Sequence, residues 1–74
     1  MQTEFTCGIF TANFREIALN GWDIKNRGRL IARVDNDGLL IRHFMGPVLS
    51  GDDLIEIAVL MNHIKRQYEQ SQIK

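Results

Sequence analysis

The chain has 74 residues, of which 45% are hydrophobic and 24% are charged, a balance typical of one small globular domain and unlike that of a disordered chain. Nine basic and nine acidic residues cancel, which disfavours general attraction to nucleic acid or membranes but permits a local basic patch. The single cysteine, Cys7, cannot form an intramolecular disulfide, and no signal peptide or membrane-spanning segment is visible. We therefore expect a cytoplasmic protein with no membrane attachment.

The stretch from Ile17 to Ile41 predicts four short strands joined by three tight turns. Before it, the alternation of Phe5, Cys7 and Ile9 with small or polar residues predicts an edge strand.

The first of the three turns is Asn20-Gly21, a strong hairpin signal because a type I′ turn needs a positive φ at both central residues. The alternative is a short helix that begins at Thr11 and ends at Gly21. The hairpin predicts three cross-strand pairs: Leu19 with Trp22, Ile17 with Ile24, and Glu16 with Lys25.

The two later turns extend the same apolar face. A three-residue turn at Asn26-Arg27-Gly28, with the glycine in the left-handed region, keeps the next strand in register. The turn at 35–38 then predicts that the last strand adds to this face. The residues expected on it beside Trp22 and Ile24 are Leu30, Ala32, Val34, Leu39 and Ile41.

A helix follows the strands. Gly46-Pro47 interrupts the strand pattern, and Ser50 is a good N-cap because Asp53 stands three residues later. We therefore interpret 1–74 as a single domain of the α+β class, with an antiparallel meander of about four strands and one C-terminal helix on one face. Its parts are a strand-rich region 1–44, a linker 45–49, a helix 50–68 and a frayed tail 69–74.

The predicted helix is apolar on more than one side. One stripe at helical spacing should cover the sheet, and it contains Leu54, Ile57, Ala58, Met61, Ile64 and Tyr68. Three further apolar residues lie outside the centre of that stripe, namely Ile55, Val59 and Leu60. The alternatives are that the N-terminal segment covers them or that they form the interface of a homodimer, and we favour the homodimer.

The opposite face of the predicted sheet is rich in arginine. An arginine-rich sheet face can bind an acidic protein surface or track phosphates, and apolar residues among the arginines resemble the centre of an interface. The residues predicted to bind a partner here are Lys25, Arg27, Arg29, Ile31, Arg33, Leu40 and Arg42.

A family resemblance supports the alternative reading of this face. Gly46-Pro-Val-Leu-Ser-Gly-Asp-Asp-Leu resembles the strand-to-helix junction of the single-stranded-DNA-binding transcription coactivators and their bacterial relatives. That resemblance implies a dimer formed through the helix and binding to single-stranded DNA. Such proteins stack bases on aromatic side chains, which the predicted basic face lacks.

The sequence predicts neither an enzyme nor a bound cofactor or metal. Asp35-Asn-Asp-Gly is turn chemistry, and His43 and His63 lack partners at the spacing of metal ligands. We expect a non-enzymatic protein-interaction module, a small adaptor or inhibitor of the kind that phages and mobile elements carry. Its partner is expected to be a protein, with nucleic acid as the alternative.

Overall fold

The computed structural model describes residues 1–15 and 21–72. It contains the strands β1 (Glu4–Cys7), β2 (Phe10–Arg15), β3 (Gly21–Asn26), β4 (Arg29–Asp35) and β5 (Ile41–Phe44), followed by the helix α1 (Gly51–Gln72). The five strands form one antiparallel sheet in chain order, so they are a meander. The α+β prediction is confirmed, with five strands where about four were expected, and β1 is the predicted N-terminal edge strand.

The partner of β3 differs from the predicted one. Ile24 lies opposite Ala12 and Lys25 opposite Thr11, so the expected pairing with residues 17 and 16 is wrong. The alternative helix is also wrong over 11–15, because these residues are extended. The alternation of Phe10, Ala12 and Phe14 supplies the apolar face that was assigned to the later stretch. The predicted turn residue Asn20, with the rest of 16–20, lies outside the described residues.

The turn between β3 and β4 has two central residues, Arg27 and Gly28, and not the three that were predicted. Their φ angles are 51° and 86°, as a type I′ turn requires. A register shift next to Ile24 then inserts one extra residue in β4. This bulge returns Ala32, now opposite Ile24, to the face predicted for it. Leu30 was predicted on the same face, but it pairs with Lys25 and is only half-buried.

The bulge also changes the position of Ile31. This residue was predicted on the exposed face, but it is fully buried, next to the buried Ala32. The linker after β5 contributes to its burial, because the Met45 N–H donates a 2.7 Å hydrogen bond to the carbonyl of Ile31. A Cβ atom at Gly46 would lie 3.3 Å from that of Ile31. Ile31 is therefore a core residue and not part of a binding surface.

The core lies between the sheet and α1. Trp22, at 2% exposure, is buried as predicted, and its ring contacts those of Phe5 and Phe14 at centroid distances of 5.4 and 5.3 Å. Phe5 also stacks on His63 of the helix. The buried hydrophobic residues are Phe10, Ala12, Trp22, Ile24, Ile31, Ala32, Val34, Ile57, Leu60 and Ile64.

The N-terminus of α1 has the predicted cap. The Asp53 N–H donates to Oγ of Ser50 at 3.1 Å, and the Ser50 N–H donates to Oδ2 of Asp53 at 3.0 Å. A frayed tail was predicted from Glu69 onward, but the helix continues to Gln72, so this prediction is wrong for residues 69–72. Residues 73–74 lie outside the described part of the chain.

The buried face of α1 is rotated from the predicted one. Leu60, assigned to a dimer interface, is fully buried between Ile57 and Ile64, whereas Leu54 and Ala58 of the predicted stripe are exposed. The reason is the position of the helix, which packs mainly over β1 and β2 and not across the middle of the sheet. The side of the helix that carries Leu54 is therefore left without a covering strand.

The loop between β4 and β5 packs closely against α1. Gly38 has a φ of +75°, and a Cβ atom there would lie 2.6 Å from the carbonyl oxygen of Met61 and 2.8 Å from the nitrogen of Lys65. Only glycine fits this approach without displacement. The residues after it, Leu39 and Ile41, are 57% and 46% exposed, so their predicted place in the core is wrong. They lie beyond the area that the helix covers.

Candidate interaction surface

One of the seven residues predicted to bind a partner lies in the core, because Ile31 is fully buried. Lys25 lies near the end of β3, Arg27 lies in the turn that follows it, and Arg29 begins β4. Arg33 lies further along β4 on the same face as Lys25, Arg42 lies on β5, and Leu40 is exposed in the loop before β5. The prediction therefore identified several accessible cations but was wrong to include Ile31.

The sheet face opposite α1 carries a row of polar residues rather than free arginines. Directly paired positions across the five strands form this row: Glu4, Asn13, Asp23, Arg33 and His43. Within it, the Asp23 carboxylate lies 3.4 Å from Nε of Arg15 and 3.5 Å from Nε of Arg33. Arg15 was missed by the sequence analysis, although its alternation with Phe14 could have placed it on this face.

Arg42 is held by an aspartate of the neighbouring strand. Its Nε donates to both carboxylate oxygens of Asp35, at 2.8 and 2.9 Å. This hydrogen bond and the negative charge of Asp35 raise the pKa of Arg42. Arg33 and Arg42 are thus each beside an acidic group, which lowers the attraction of this face for phosphates.

A cleft of about 380 Å³ opens beside these ion pairs. Its lining includes Arg15, Gly21 and Arg42. The cleft lies at the end of the sheet where residues 16–20, outside the described part of the chain, connect β2 to β3.

Exposed apolar side chains are concentrated in one short segment of the chain. Among the described residues, six of the eleven exposed large hydrophobic side chains belong to residues 39–48. We call them the β5 strip: Leu39 (57% exposed), Leu40 (53%), Ile41 (46%), Phe44 (49%), Met45 (42%) and Val48 (99%).

The β5 strip includes the uncovered part of the core face of the sheet. Phe44 pairs with Ala32 and Ile41 with Val34, and both of these β4 residues are buried core residues. Residues directly opposite each other in a ladder share a face, so Phe44 and Ile41 lie on the same side as the core. They are half exposed because α1, on the same face, packs mainly over β1 and β2 at the far end of the sheet.

The exposed area of the molecule is correspondingly large. Its accessible surface is 5116 Å², whereas a compact monomer of 8.5 kDa has about 4,700 Å². The β5 strip and the exposed Leu54 and Ile55 near the start of α1 are part of this surface. This arrangement suits the burial of the strip by another molecule.

Comparisons with known protein families, curated proteins and solved structures find no match to this chain. In the described part of the chain, no helix has the length and apolar character needed to cross a membrane. Residues 1–15 and 21–72 also hold no cluster of three or more histidine, cysteine, aspartate or glutamate side chains suited to a metal ion. The case for a function consequently depends on the surface itself.

Proposed function

We propose that the chain is a non-enzymatic protein-interaction module, an adaptor or inhibitor, that docks through the β5 strip. The single observation that carries this proposal is the exposure of six large apolar side chains within residues 39–48. The proposal moves the docking surface from the arginine-rich sheet face to the uncovered edge of the core. Of the residues first expected to bind, it keeps Leu40 and Arg42.

The concentration of exposed apolar residues in the strip supports protein recognition. Its six residues lie within ten consecutive positions and are between 42% and 99% exposed. Apolar residues scattered singly over a surface are normal, whereas grouped ones mark interaction sites.

The chemistry around the strip also suits a protein partner. Arg42, next to Ile41 in β5, donates a bifurcated hydrogen bond from Nε to both carboxylate oxygens of Asp35. A paired charge beside apolar side chains contributes specificity and orientation to a protein interface.

Affinity capture from a lysate of the source cells tests the proposal. The baits are the wild type and the double variant Leu40→Asp/Val48→Asp, in which both changed side chains are more than half exposed. We expect a protein that the wild type captures in nuclease-treated lysate and that the double variant binds at least about thirty-fold more weakly, as loss of an interface centre implies. Equal capture by both baits would contradict the docking role of the strip.

Ile9→Asp is the matched control for that experiment. Ile9 is an exposed isoleucine, 42% accessible, in the turn between β1 and β2, and so outside the strip. It introduces one negative charge of the kind that the double variant introduces twice, without touching the proposed surface, and capture by this variant should equal that of the wild type.

Nucleic-acid binding is the second candidate, and one observation favours it. Lys25, Arg27 and Arg29 cluster at the β3–β4 turn, and within residues 1–15 and 21–72 they form no ion pair. Three phosphate contacts would give a log–log salt dependence with a slope of magnitude about 2 to 3. A filter-binding titration against salt tests this candidate. Loss of about one unit of slope with Arg29→Ala would support it, and binding too weak to measure at physiological salt would reject it.

A further inference from the structure

We infer that the β5 strip is occupied by the same strip of a second copy of this chain, with the two β5 strands paired antiparallel along their free edges. The two five-stranded sheets would then form one continuous sheet of ten strands. This inference rests on the proposed docking role of the strip and names the partner.

The first support is the state of the sheet edge. β5 is the last strand of the meander and has a neighbour, β4, on one side only. All four of its residues are exposed, and its one formal charge, on Arg42, is paired with Asp35. Lysine and proline, which often protect an unpaired edge strand, are absent from β5. The protection it has is its length of four residues, the charge of Arg42 and a bulge at Arg42, which lies between the pairs Arg33–His43 and Val34–Ile41.

The other edge of the sheet differs in this respect. Beside β1, the Gln2 N–H donates to Gln67 of the helix at 2.8 Å, and Nε2 of Gln67 donates back to the Gln2 carbonyl at 2.9 Å. Phe5 of β1 stacks on His63, which also ties this edge to α1. The helix thus packs beside β1, whereas it makes no comparable contact with β5.

The second support is the symmetry of the strip. Antiparallel pairing of two identical strands has a two-fold axis, so each surface meets its own copy. An axis between Arg42 and His43 sets Ile41 opposite Phe44 of the partner subunit. Both side chains lie on the core side of the sheet, so each half-exposed residue would cover the other. The partner's strip would also complete the core that α1 leaves open.

The third support is composition and charge. Six of the ten residues from 39 to 48 are large, exposed and apolar, and the one formal charge of β5, on Arg42, is paired with Asp35. The chain has nine basic and nine acidic residues, so two copies approach without net repulsion.

Sedimentation velocity over a range of concentrations tests the inference with four proteins. The wild type should be a dimer at micromolar concentration, and Leu40→Asp/Val48→Asp should raise the dimer Kd at least a hundred-fold, because each subunit brings both charges to the interface. Ile9→Asp should behave as the wild type does. Ile55→Asp tests the helix-mediated dimer expected from the sequence, since Ile55 is 63% exposed on α1, and it should leave the Kd within about three-fold.

The outcomes separate this inference from the proposed function. If the wild type stays monomeric at several hundred micromolar, a second copy does not occupy the strip. The inference is also wrong if Ile55→Asp dissociates the dimer and Leu40→Asp/Val48→Asp leaves it intact. If the wild type is monomeric but capture from lysate still depends on the strip, the protein-binding role stands and only the dimer fails. Circular dichroism of each variant verifies the fold, which Val48→Asp should not disturb because Val48 is 99% exposed.

Discussion

Replacing Gly38 with alanine tests the contact that positions the loop before β5. The new Cβ would lie 2.6 Å from the Met61 carbonyl oxygen and 2.8 Å from the Lys65 nitrogen, both backbone atoms of α1. The left-handed backbone, with φ at +75°, costs a residue with a side chain about 1–2 kcal/mol. Displacing the helix or the loop adds about 1–3 kcal/mol of overpacking. We therefore expect a loss of about 2–5 kcal/mol in the free energy of unfolding.

Gly28→Ala is the control that isolates the steric part of this loss. Gly28 also has a positive φ, at +86°, but nothing lies within 4 Å of a Cβ atom built there. It should lose only the conformational part, about 1–2 kcal/mol. Urea denaturation measures both losses, at one protein concentration because self-association would add to the apparent stability. Equal losses in the two variants would refute the close packing of the loop on the helix.

Three further predictions concern stability. Arg27→Asn should raise the free energy of unfolding by about 0.5–1 kcal/mol, because Arg27 holds a φ of 51° that asparagine adopts more readily in a type I′ turn; an unchanged urea midpoint would argue against this turn. Trp22→Ala should lower the free energy of unfolding by about 3–5 kcal/mol. In the wild type the buried indole should resist quenching of its fluorescence by acrylamide, and efficient quenching would contradict its 2% exposure. Ile31→Ala should lower the free energy of unfolding by about 2–5 kcal/mol, because this side chain is fully buried. Leu40→Ala should lower it by less than about 0.5 kcal/mol, because Leu40 is 53% exposed. Similar losses in the two variants would indicate that Ile31 lies on the surface.

The features that the sequence predicted correctly are set by neighbouring residues. The cap of α1 depends on Ser50 and Asp53, three positions apart, and both of its expected hydrogen bonds are present. The antiparallel meander follows from the alternation of apolar residues and from turn residues such as Gly28. The burial of Trp22 follows from the same alternation.

The features that it missed depend on contacts between distant segments. The sequence contains two alternating stretches that could each pair with β3, one around Ala12 and one around Ile17. The local turn signal does not distinguish them, and the structure pairs β3 with the stretch around Ala12. The bulge that precedes Ala32 interrupts the period of two, so simple alternation placed Ile31 on the wrong face.

The candidate surface was the least predictable part. Whether Ile41 is buried depends on which strands the helix covers, and that position is set by packing across the whole domain. The apolar pattern of the sequence predicted a dimer interface, but on α1 and not on β5. Of the three residues that it chose, Leu60 is in the core, and Ile55 and Val59 are exposed.

Hydrogen exchange at several protein concentrations tests most directly whether the β5 strip binds a second copy. Pairing of the two β5 strands should slow the exchange of those amides in 41–44 that do not donate to β4, and about a hundred-fold dilution should release them. The amides of β1, which lies beside α1, serve as the internal control and should exchange at the same rate throughout. If exchange of these β5 amides is fast and independent of concentration while the protein stays folded, the edge is free and the proposed dimer is wrong.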